Sequence, residues 1–200
     1  MSNKQITALF KLVANGNLEE VSTLIAQGAD VNETMPLGRT LLMLASEKGY
    51  LELVQLLIQH GANIHALDSI RKVNALMWAC EFNHLEVAQL LIKLGADVNI
   101  KGDIAGVTPL MFTSRFGFTP LTALLLTAKP QLDTLNYNFA STALIIAARY
   151  GFLDIVKLLV AAGANTEIRS KSGETARDTA NNYGHTAIVE FLSSAARTCT

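Results

Sequence analysis

The chain has 200 residues, of which 50% are hydrophobic, 16% are charged and 6% are aromatic. This composition excludes an intrinsically disordered protein, because disorder accompanies low hydrophobicity and high net charge. The formal net charge of −1 comes from 16 basic and 17 acidic side chains, so the chain lacks the basic excess that would hold nucleic acid.

Six helix starts are predicted from a recurring residue type. A Thr or Asn precedes a short apolar segment at six positions that lie 33 or 34 residues apart: Thr7, Thr40, Asn74, Thr108, Thr142 and Thr175. Both residue types cap helix N-termini, because the side-chain oxygen accepts a hydrogen bond from a free backbone N–H group. Pro109 follows Thr108, at the first helical position, where proline is well tolerated.

Each of these helices is predicted to end nine residues after its cap. The stops are five glycines and one asparagine, the two residue types that best adopt the left-handed conformation of a helix end: Gly16, Gly49, Asn83, Gly117, Gly151 and Gly184. A second helix follows each stop and ends at a Gly-Ala pair in four copies, which begin at Gly28, Gly61, Gly95 and Gly163. The fourth copy has Lys129-Pro130 instead, so we expect Pro130 to stop that helix and the next loop to deviate.

The register divides the chain into units of helix, tight turn, helix and exposed loop. Their approximate limits are 3–35, 36–69, 70–103, 104–137, 138–170 and 171–200. Helices of about nine residues are too short to be stable alone, so each must pack on its neighbours. We therefore predict an all-α solenoid of stacked helix-turn-helix repeats with hairpin-like loops, forming one domain over residues 1–200. The more polar end units predict a capped, complete and monomeric array.

The unit resembles the ankyrin repeat, whose signature is Thr-Pro-Leu-His-x-Ala. Thr108-Pro109-Leu110 matches the start of that signature, and Gly95-Ala96-Asp97-Val98-Asn99 matches the end of the repeat. The signature histidine is missing, and its six positions hold Phe10, Met43, Met77, Met111, Ile145 and Asp178. The resemblance implies a protein-binding module in which apolar packing replaces the network of that histidine. It also implies a structural turn role for His84 and His185.

The resemblance places the two residues before each helix stop on or beside a concave face. These positions become rich in aromatic residues and arginine along the chain, which are types that dominate binding hot spots. The candidates there are Glu47, Lys48, Glu81, Phe82, Arg115, Phe116, Arg149, Tyr150 and Tyr183. Partly apolar loop tips, including residues 104–107, add Arg39, Arg71 and Phe139. The alternative is that the rings steady the adjacent turn and that the tips pack against one another.

Residues that could carry chemistry form no catalytic or metal-binding pattern. Cys80 occupies a position where other copies have small residues, which indicates an inert buried thiol. Trp78 is interpreted as a core residue or as part of the groove. His60 and His65 lack the further ligands that a structural metal requires. Because known catalytic and phosphate-binding motifs are absent as well, we expect no enzyme activity, no cofactor and no metal.

We therefore predict a non-catalytic module that binds one or more proteins through its concave face and loop tips. The alternative is a small-ligand or enzymatic site on the loops of the irregular fourth repeat, and a third hypothesis is a self-associating structural protein. No apolar run approaches the ~20 residues of a membrane span, and residues 1–5 lack a signal-peptide core. With Cys80 and Cys199 as the only cysteines, we expect a cytoplasmic protein without membrane or nucleic-acid partners. Delivery into a host cell as an effector is the alternative location.

Overall fold

The computed structural model describes residues 3–103 and 105–198. The predictions that involve Ile104, Cys199 and the first two residues lie outside these described residues. The described chain contains twelve α-helices, one short 3-10 helix at Pro36–Gly38 and one isolated bridge between Thr34 and Thr40. It is therefore all-helical, as predicted. None of these helices is both long enough and apolar enough to cross a lipid bilayer.

The chain forms two compact units, Met1–Ile104 and Ala105–Thr200. The boundary lies one residue after the limit drawn from the sequence between the third and fourth repeats. The first unit contains six helices, which are α1 (Asn3–Ala14), α2 (Leu18–Ala26), α3 (Leu41–Lys48), α4 (Leu51–Gln59), α5 (Ala75–Glu81) and α6 (Leu85–Lys93). Each consecutive pair packs as a hairpin. The first helices α1, α3 and α5 pack side by side, and the second helices α2, α4 and α6 form a parallel row with fewer contacts.

The second unit has the same construction. Its helices are α7 (Pro109–Phe116), α8 (Thr119–Thr127), α9 (Ala143–Tyr150), α10 (Leu153–Ala161), α11 (Ala176–Asn182) and α12 (Thr186–Thr198). The first helix of each hairpin packs on the next, with α9 between α7 and α11, while α10 lies between α8 and α12. The predicted stacking of helix-turn-helix repeats is therefore confirmed within each unit.

Five of the six predicted N-caps are confirmed. The Thr142 hydroxyl, for example, accepts a hydrogen bond from the Ile145 backbone N–H at 3.3 Å. The same bond is made by Thr40, Asn74, Thr108 and Thr175. The prediction for Thr7 is wrong, because α1 already begins at Asn3 and Thr7 lies inside it. Lys4 and Gln5 are good helix formers, so nothing in this segment prevents the helix from starting earlier.

Residues in the left-handed conformation lie at the predicted ends of the first helices. Gly49, Gly117 and Gly151 cap their helices with φ between 72° and 80°, and Asn83 adopts the same region with φ 61°. In the irregular fourth repeat, α8 ends before Pro130, as predicted. There Lys129 takes the left-handed conformation, with φ 52°, that glycine supplies in the other repeats.

The positions that lack the signature histidine belong to the core. Phe10, Met43, Met77, Met111 and Ile145 are all at most 3% exposed. The predicted replacement by apolar packing is thus confirmed for these five positions, and burying each such side chain contributes about 1.5–3 kcal/mol. The sixth position, Asp178, instead forms a capping box with Thr175 at the start of α11.

Two histidines join neighbouring hairpins, in the turn role that the resemblance implies. The Nε2 atom of His84 lies 2.8 Å from the carbonyl oxygen of Glu47, and that of His185 lies 3.0 Å from the carbonyl oxygen of Arg149. Each contact reaches a free carbonyl at the end of the preceding first helix. Burial lowers the pKa of His84, although the nearby Glu86 carboxylate opposes this shift.

The loop tips are joined by backbone hydrogen bonds. In the first unit the N–H of Ser69 donates to the carbonyl of Leu37 at 2.7 Å, and the N–H of Asp103 donates to that of Arg71 at 2.8 Å. Two equivalent bonds in the second unit run from Tyr137 to Ala105 and from Lys171 to Phe139. The backbone of the tips therefore packs loop against loop, as in the alternative interpretation, and the binding role of the tip side chains stays a prediction. The side chains of Leu37, Tyr137 and Phe139 remain more than half exposed.

Candidate functional site

A tryptophan between two arginines is the main feature of the first unit's surface. The Cζ atom of Arg39 lies 4.9 Å from the ring centroid of Trp78, and that of Arg71 lies 4.8 Å from it. Both distances are within the ~6 Å range of cation–π attraction. Arg39 comes from the loop before α3 and Arg71 from the loop before α5, so two consecutive loop tips converge on one side chain of α5.

Each of these arginines also pairs with a glutamate that lies two residues before a helix stop. Arg39 forms an ion pair with Glu47, and the Nη2 atom of Arg71 lies 2.7 Å from Oε2 of Glu81. We call Trp78, Arg39, Arg71, Glu47 and Glu81 the Trp78 cluster. Its two positive charges are balanced by two negative charges, so the cluster is neutral overall.

Other side chains extend or support the Trp78 cluster. The Phe82 ring stacks on Trp78 with a centroid distance of 6.2 Å, and 47% of Phe82 is exposed. Lys48 is more exposed than Glu47 and lies 3.5 Å from its carboxylate. Burial lowers the pKa of Arg39, and the carboxylate of Asp68 opposes that shift. Asp68 is buried, and its Oδ1 atom accepts hydrogen bonds from the backbone N–H groups of Ile70 and Arg71.

The second unit carries a groove of about 320 Å³. We call it the second-unit groove. It is lined by α7, α9 and the loops before them, through Ala105, Val107, Met111, Phe112, Arg115, Asn136, Asn138, Phe139, Ser141, Ile145, Ile146, Arg149 and Tyr150. Two arginines are the only charged residues of this lining. The groove includes the loops of the fourth repeat, where the alternative hypothesis placed a small-ligand site, and that hypothesis stays a prediction.

Aromatic rings hold the arginines of this groove. The Cζ atom of Arg149 lies 5.5 Å from the ring centroid of Phe139 and 5.3 Å from that of Tyr183. Arg115 lies 5.5 Å from the ring of Phe116. Among the described residues, neither arginine forms an ion pair with a carboxylate.

The predicted site residues thus fall into two groups, one in each unit. Arg39, Glu47, Lys48, Arg71, Glu81 and Phe82 surround Trp78, whereas the others line or flank the second-unit groove, namely Arg115, Phe116, Phe139, Arg149, Tyr150 and Tyr183. Four of the predicted site residues are aromatic residues next to a helix stop and are between 46% and 53% exposed, namely Phe82, Phe116, Tyr150 and Tyr183. Each ring is therefore half buried and leaves the other half accessible, and its role in partner binding stays a prediction.

Three central side chains are absent from the binding residues predicted from the sequence. Trp78, Phe112 and Ile146 are spaced 34 residues apart, and each lies three residues before the candidate glutamate or arginine of its own helix. Residues three apart share one helix face. The spacing therefore contains a signal for this face, although for Trp78 it leaves open a core position or a place in the groove.

The surroundings of Cys80 and of the potential metal ligands bear on the chemistry expected from the sequence. Cys80 is fully buried, so the predicted burial is confirmed, and burial raises the pKa of its thiol to about 12. The inertness of the thiol stays a prediction. Across residues 3–103 and 105–198, no group of three or more His, Cys, Asp or Glu side chains is arranged to hold a metal ion.

Comparison with known proteins relates this construction to one family. The family model for ankyrin repeats in three copies matches residues 1–68, 61–136 and 110–199. A comparison with curated protein sequences finds no match. An ankyrin repeat domain from Acinetobacter baumannii AYE is 26% identical with a TM-score of 0.86, and the match covers 94% of this chain and 97% of that chain.

A second solved structure is similar over the same share of the chain. It is the predatory endopeptidase Bd0816 from Bdellovibrio bacteriovorus in complex with immunity protein Bd3460, and the matching chain is 28% identical with a TM-score of 0.83. The match covers 94% of this chain and 97% of that chain. With helix-turn-helix hairpins throughout the described residues and a family model that matches nearly the whole sequence, the chain belongs to the ankyrin repeat family.

Proposed function

We propose that this chain is a non-catalytic module that binds a partner protein through the C-terminal ends of its first helices and its loop tips. The observation that carries the proposal is a set of four half-exposed rings, Phe82, Phe116, Tyr150 and Tyr183. Three of them contact an arginine or another aromatic ring, and Tyr150 lines the second-unit groove. Aromatic residues and arginine supply most of the energy in protein interfaces. Ankyrin repeats are generally protein-interaction modules, which agrees with this surface.

The exposed ring area is large enough to matter. An aromatic side chain can bury 150–250 Å², so covering the exposed half of one ring removes roughly 100 Å² from water. At about 25 cal/mol per Å², each ring contributes about 2.5 kcal/mol to binding. Two or three such rings contribute about 5–7.5 kcal/mol, which offsets the lower part of the 4–15 kcal/mol that association costs in lost freedom. The proposal therefore requires a partner that covers several rings at once.

One observation favours an enzyme as the partner. The similar Bdellovibrio chain comes from a complex of an endopeptidase with an immunity protein. We therefore extend the proposal to a peptidase from the organism that produces this chain. The chain would bind that peptidase and inhibit it. Peptidase activity is measured with and without an excess of the chain. Unchanged activity of all tested peptidases would argue against this extension while leaving the binding module itself untouched.

The binding role is tested by affinity capture from the native lysate. The parent chain is compared with Phe116→Ala, Tyr150→Ala and Arg149→Ala, and with Lys157→Ala as a control on the exposed part of α10. We expect the three surface variants to lose a protein that the parent and the control retain, while melting close to the parent temperature. Equal recovery of every captured protein by all five chains contradicts the proposed surface. Light scattering of the purified chain tests the accompanying proposal of a monomer.

A further inference from the structure

One repeat position reverses its charge between the two units. The residue two positions before the helix stop is Glu47 and Glu81 in the first unit, but Arg115 and Arg149 in the second. All four lie 34 residues apart, so they are structural equivalents. In the first unit the two carboxylates are occupied by Arg39 and Arg71. The second unit has the opposite charge at these positions, and among residues 105–198 no carboxylate forms an ion pair with either arginine.

The contact that holds the charged side chain changes as well. Arg71 and Glu81 are ten residues apart and form an ion pair at 2.7 Å. Phe139 and Arg149 have the same separation and the same register, but here the guanidinium lies 5.5 Å from an aromatic ring. A ring attracts a cation without cancelling its charge.

The second-unit groove beside these arginines is mostly apolar. Val107, Met111, Phe112 and Ile146 contribute to its lining, and none of the lining residues is acidic. A carboxylate close to Arg115 and Arg149 would gain charge-assisted hydrogen bonds, which are about twice as strong as neutral ones. The apolar floor would at the same time cover an aliphatic or aromatic side chain. Two arginines are too few for a polyanion, and the chain carries a net charge of −1.

We propose that the second-unit groove binds a peptide segment of the partner in which Asp or Glu stands next to a large apolar residue. The carboxylate pairs with Arg115 and Arg149, and the apolar side chain fills the groove between α7 and α9. The inference rests on the proposed function, because it specifies the chemistry of the partner segment that such a module recognises. The Trp78 cluster, whose arginines are already paired, does not share this preference.

The test begins with a probe that assumes no partner. Random twelve-residue peptides displayed on phage are selected on the immobilised full-length chain, and the enriched peptides are synthesised. We expect an acidic residue adjacent to Leu, Ile, Phe or Met in the enriched sequences. Isothermal titration then compares each peptide with its Glu→Gln or Asp→Asn counterpart, for which we expect a dissociation constant at least about tenfold larger.

Variants of the chain locate the contact. Arg115→Glu and Arg149→Glu are expected to weaken peptide binding at least about tenfold, while Lys157→Glu makes the same charge change on α10 and should bind within twofold of the parent. Circular dichroism checks that each variant folds. The Gln and Asn peptides need no variant of the chain, so the inference stays testable even if Arg149→Glu unfolds.

Several results would overturn the inference. These are a selection that retains no peptide, enriched peptides without acidic residues, and equal affinity for the acidic and amide peptides. The proposed function is tested separately by capture of a protein from the lysate. If the parent and the Arg115→Glu/Arg149→Glu double variant capture the same protein, and an excess of acidic peptide does not displace it, the inference fails and the binding function stands. If the parent captures no protein, the proposed function itself fails.

Discussion

Substituting one glycine should show how tightly neighbouring hairpins fit at their turns. Gly151 ends α9 in the left-handed conformation with φ 80°, and a Cβ atom placed on it would lie 2.6 Å from Cε1 of His185. Gly151→Ala therefore forces the His185 ring to move. That ring holds the carbonyl of Arg149 at 3.0 Å, so we expect the contact between hairpins to break. Gly184 has nearly the same φ, 76°, but nothing lies within 4 Å of its added Cβ.

The expected magnitudes follow from two contributions. A left-handed alanine costs about 1–2 kcal/mol, and the reduced entropy of the unfolded chain offsets about 0.4–1 kcal/mol of this. Gly184→Ala should therefore destabilise the fold by about 1 kcal/mol. Gly151→Ala adds the loss of a hydrogen bond and an unsatisfied carbonyl, together about 1–3 kcal/mol. We expect a total loss of about 2–4 kcal/mol.

Urea unfolding followed by far-ultraviolet circular dichroism measures both variants. The decisive comparison repeats Gly151→Ala in the background of His185→Ala, where the ring is absent. There the cost should fall to that of Gly184→Ala, about 1 kcal/mol. An equal cost for the two glycines in the parent chain, or an unchanged cost of Gly151→Ala without the His185 ring, would refute this reasoning.

Three further predictions concern single side chains. Thr142→Ala should lower the free energy of unfolding by about 1 kcal/mol, whereas Thr142→Ser should retain most of the capping stabilisation. Thermal melts measure both variants, and equal losses contradict a capping role. In a Cys199→Ser chain, iodoacetamide at pH 8 should modify Cys80 only after urea unfolding, because burial raises its pKa to about 12; rapid labelling of the folded chain contradicts this. The backbone N–H and hydroxyl of Thr175 lower the pKa of Asp178 below 3.8. The stabilisation that the ionised Asp178 gives the fold is therefore complete above pH 3.8. It disappears as the pH falls through the lower pKa of the folded state. In urea titrations, the difference in unfolding free energy between the parent and Asp178→Ala should therefore be constant near pH 7 and shrink below pH 3.8. A difference that grows in acid contradicts the expected direction of the pH dependence.

The regular part of the fold was predictable because it depends on local backbone chemistry. Asn83 illustrates this: asparagine replaces glycine at the stop, yet its φ of 61° is the conformation that the pattern required. Lys129 was harder to predict, since lysine has no preference for the left-handed region. A residue that precedes proline favours extended backbone, so Pro130 gives no signal for the left-handed conformation of Lys129 either.

The candidate site was only partly predictable, because its contacts join different loops and helices. Arg39, Arg71 and Glu81 are separate candidates in the sequence, and their spacing does not reveal that two arginines converge on Trp78. That arrangement depends on the path of each loop back over the next helix. Likewise, the unpaired charge of Arg149 could be recognised only after the neighbouring carboxylates had been located.

The bonds between consecutive loop tips use main-chain atoms alone, as in the contact of the Ser69 N–H with the Leu37 carbonyl. Any residue with a backbone N–H can make such a bond, so only proline is excluded at the donor positions. The tip side chains are therefore free to change by mutation while the framework that presents them is preserved. A lineage could in this way follow a rapidly diverging target by exchanging a few exposed residues, without rebuilding the scaffold beneath them.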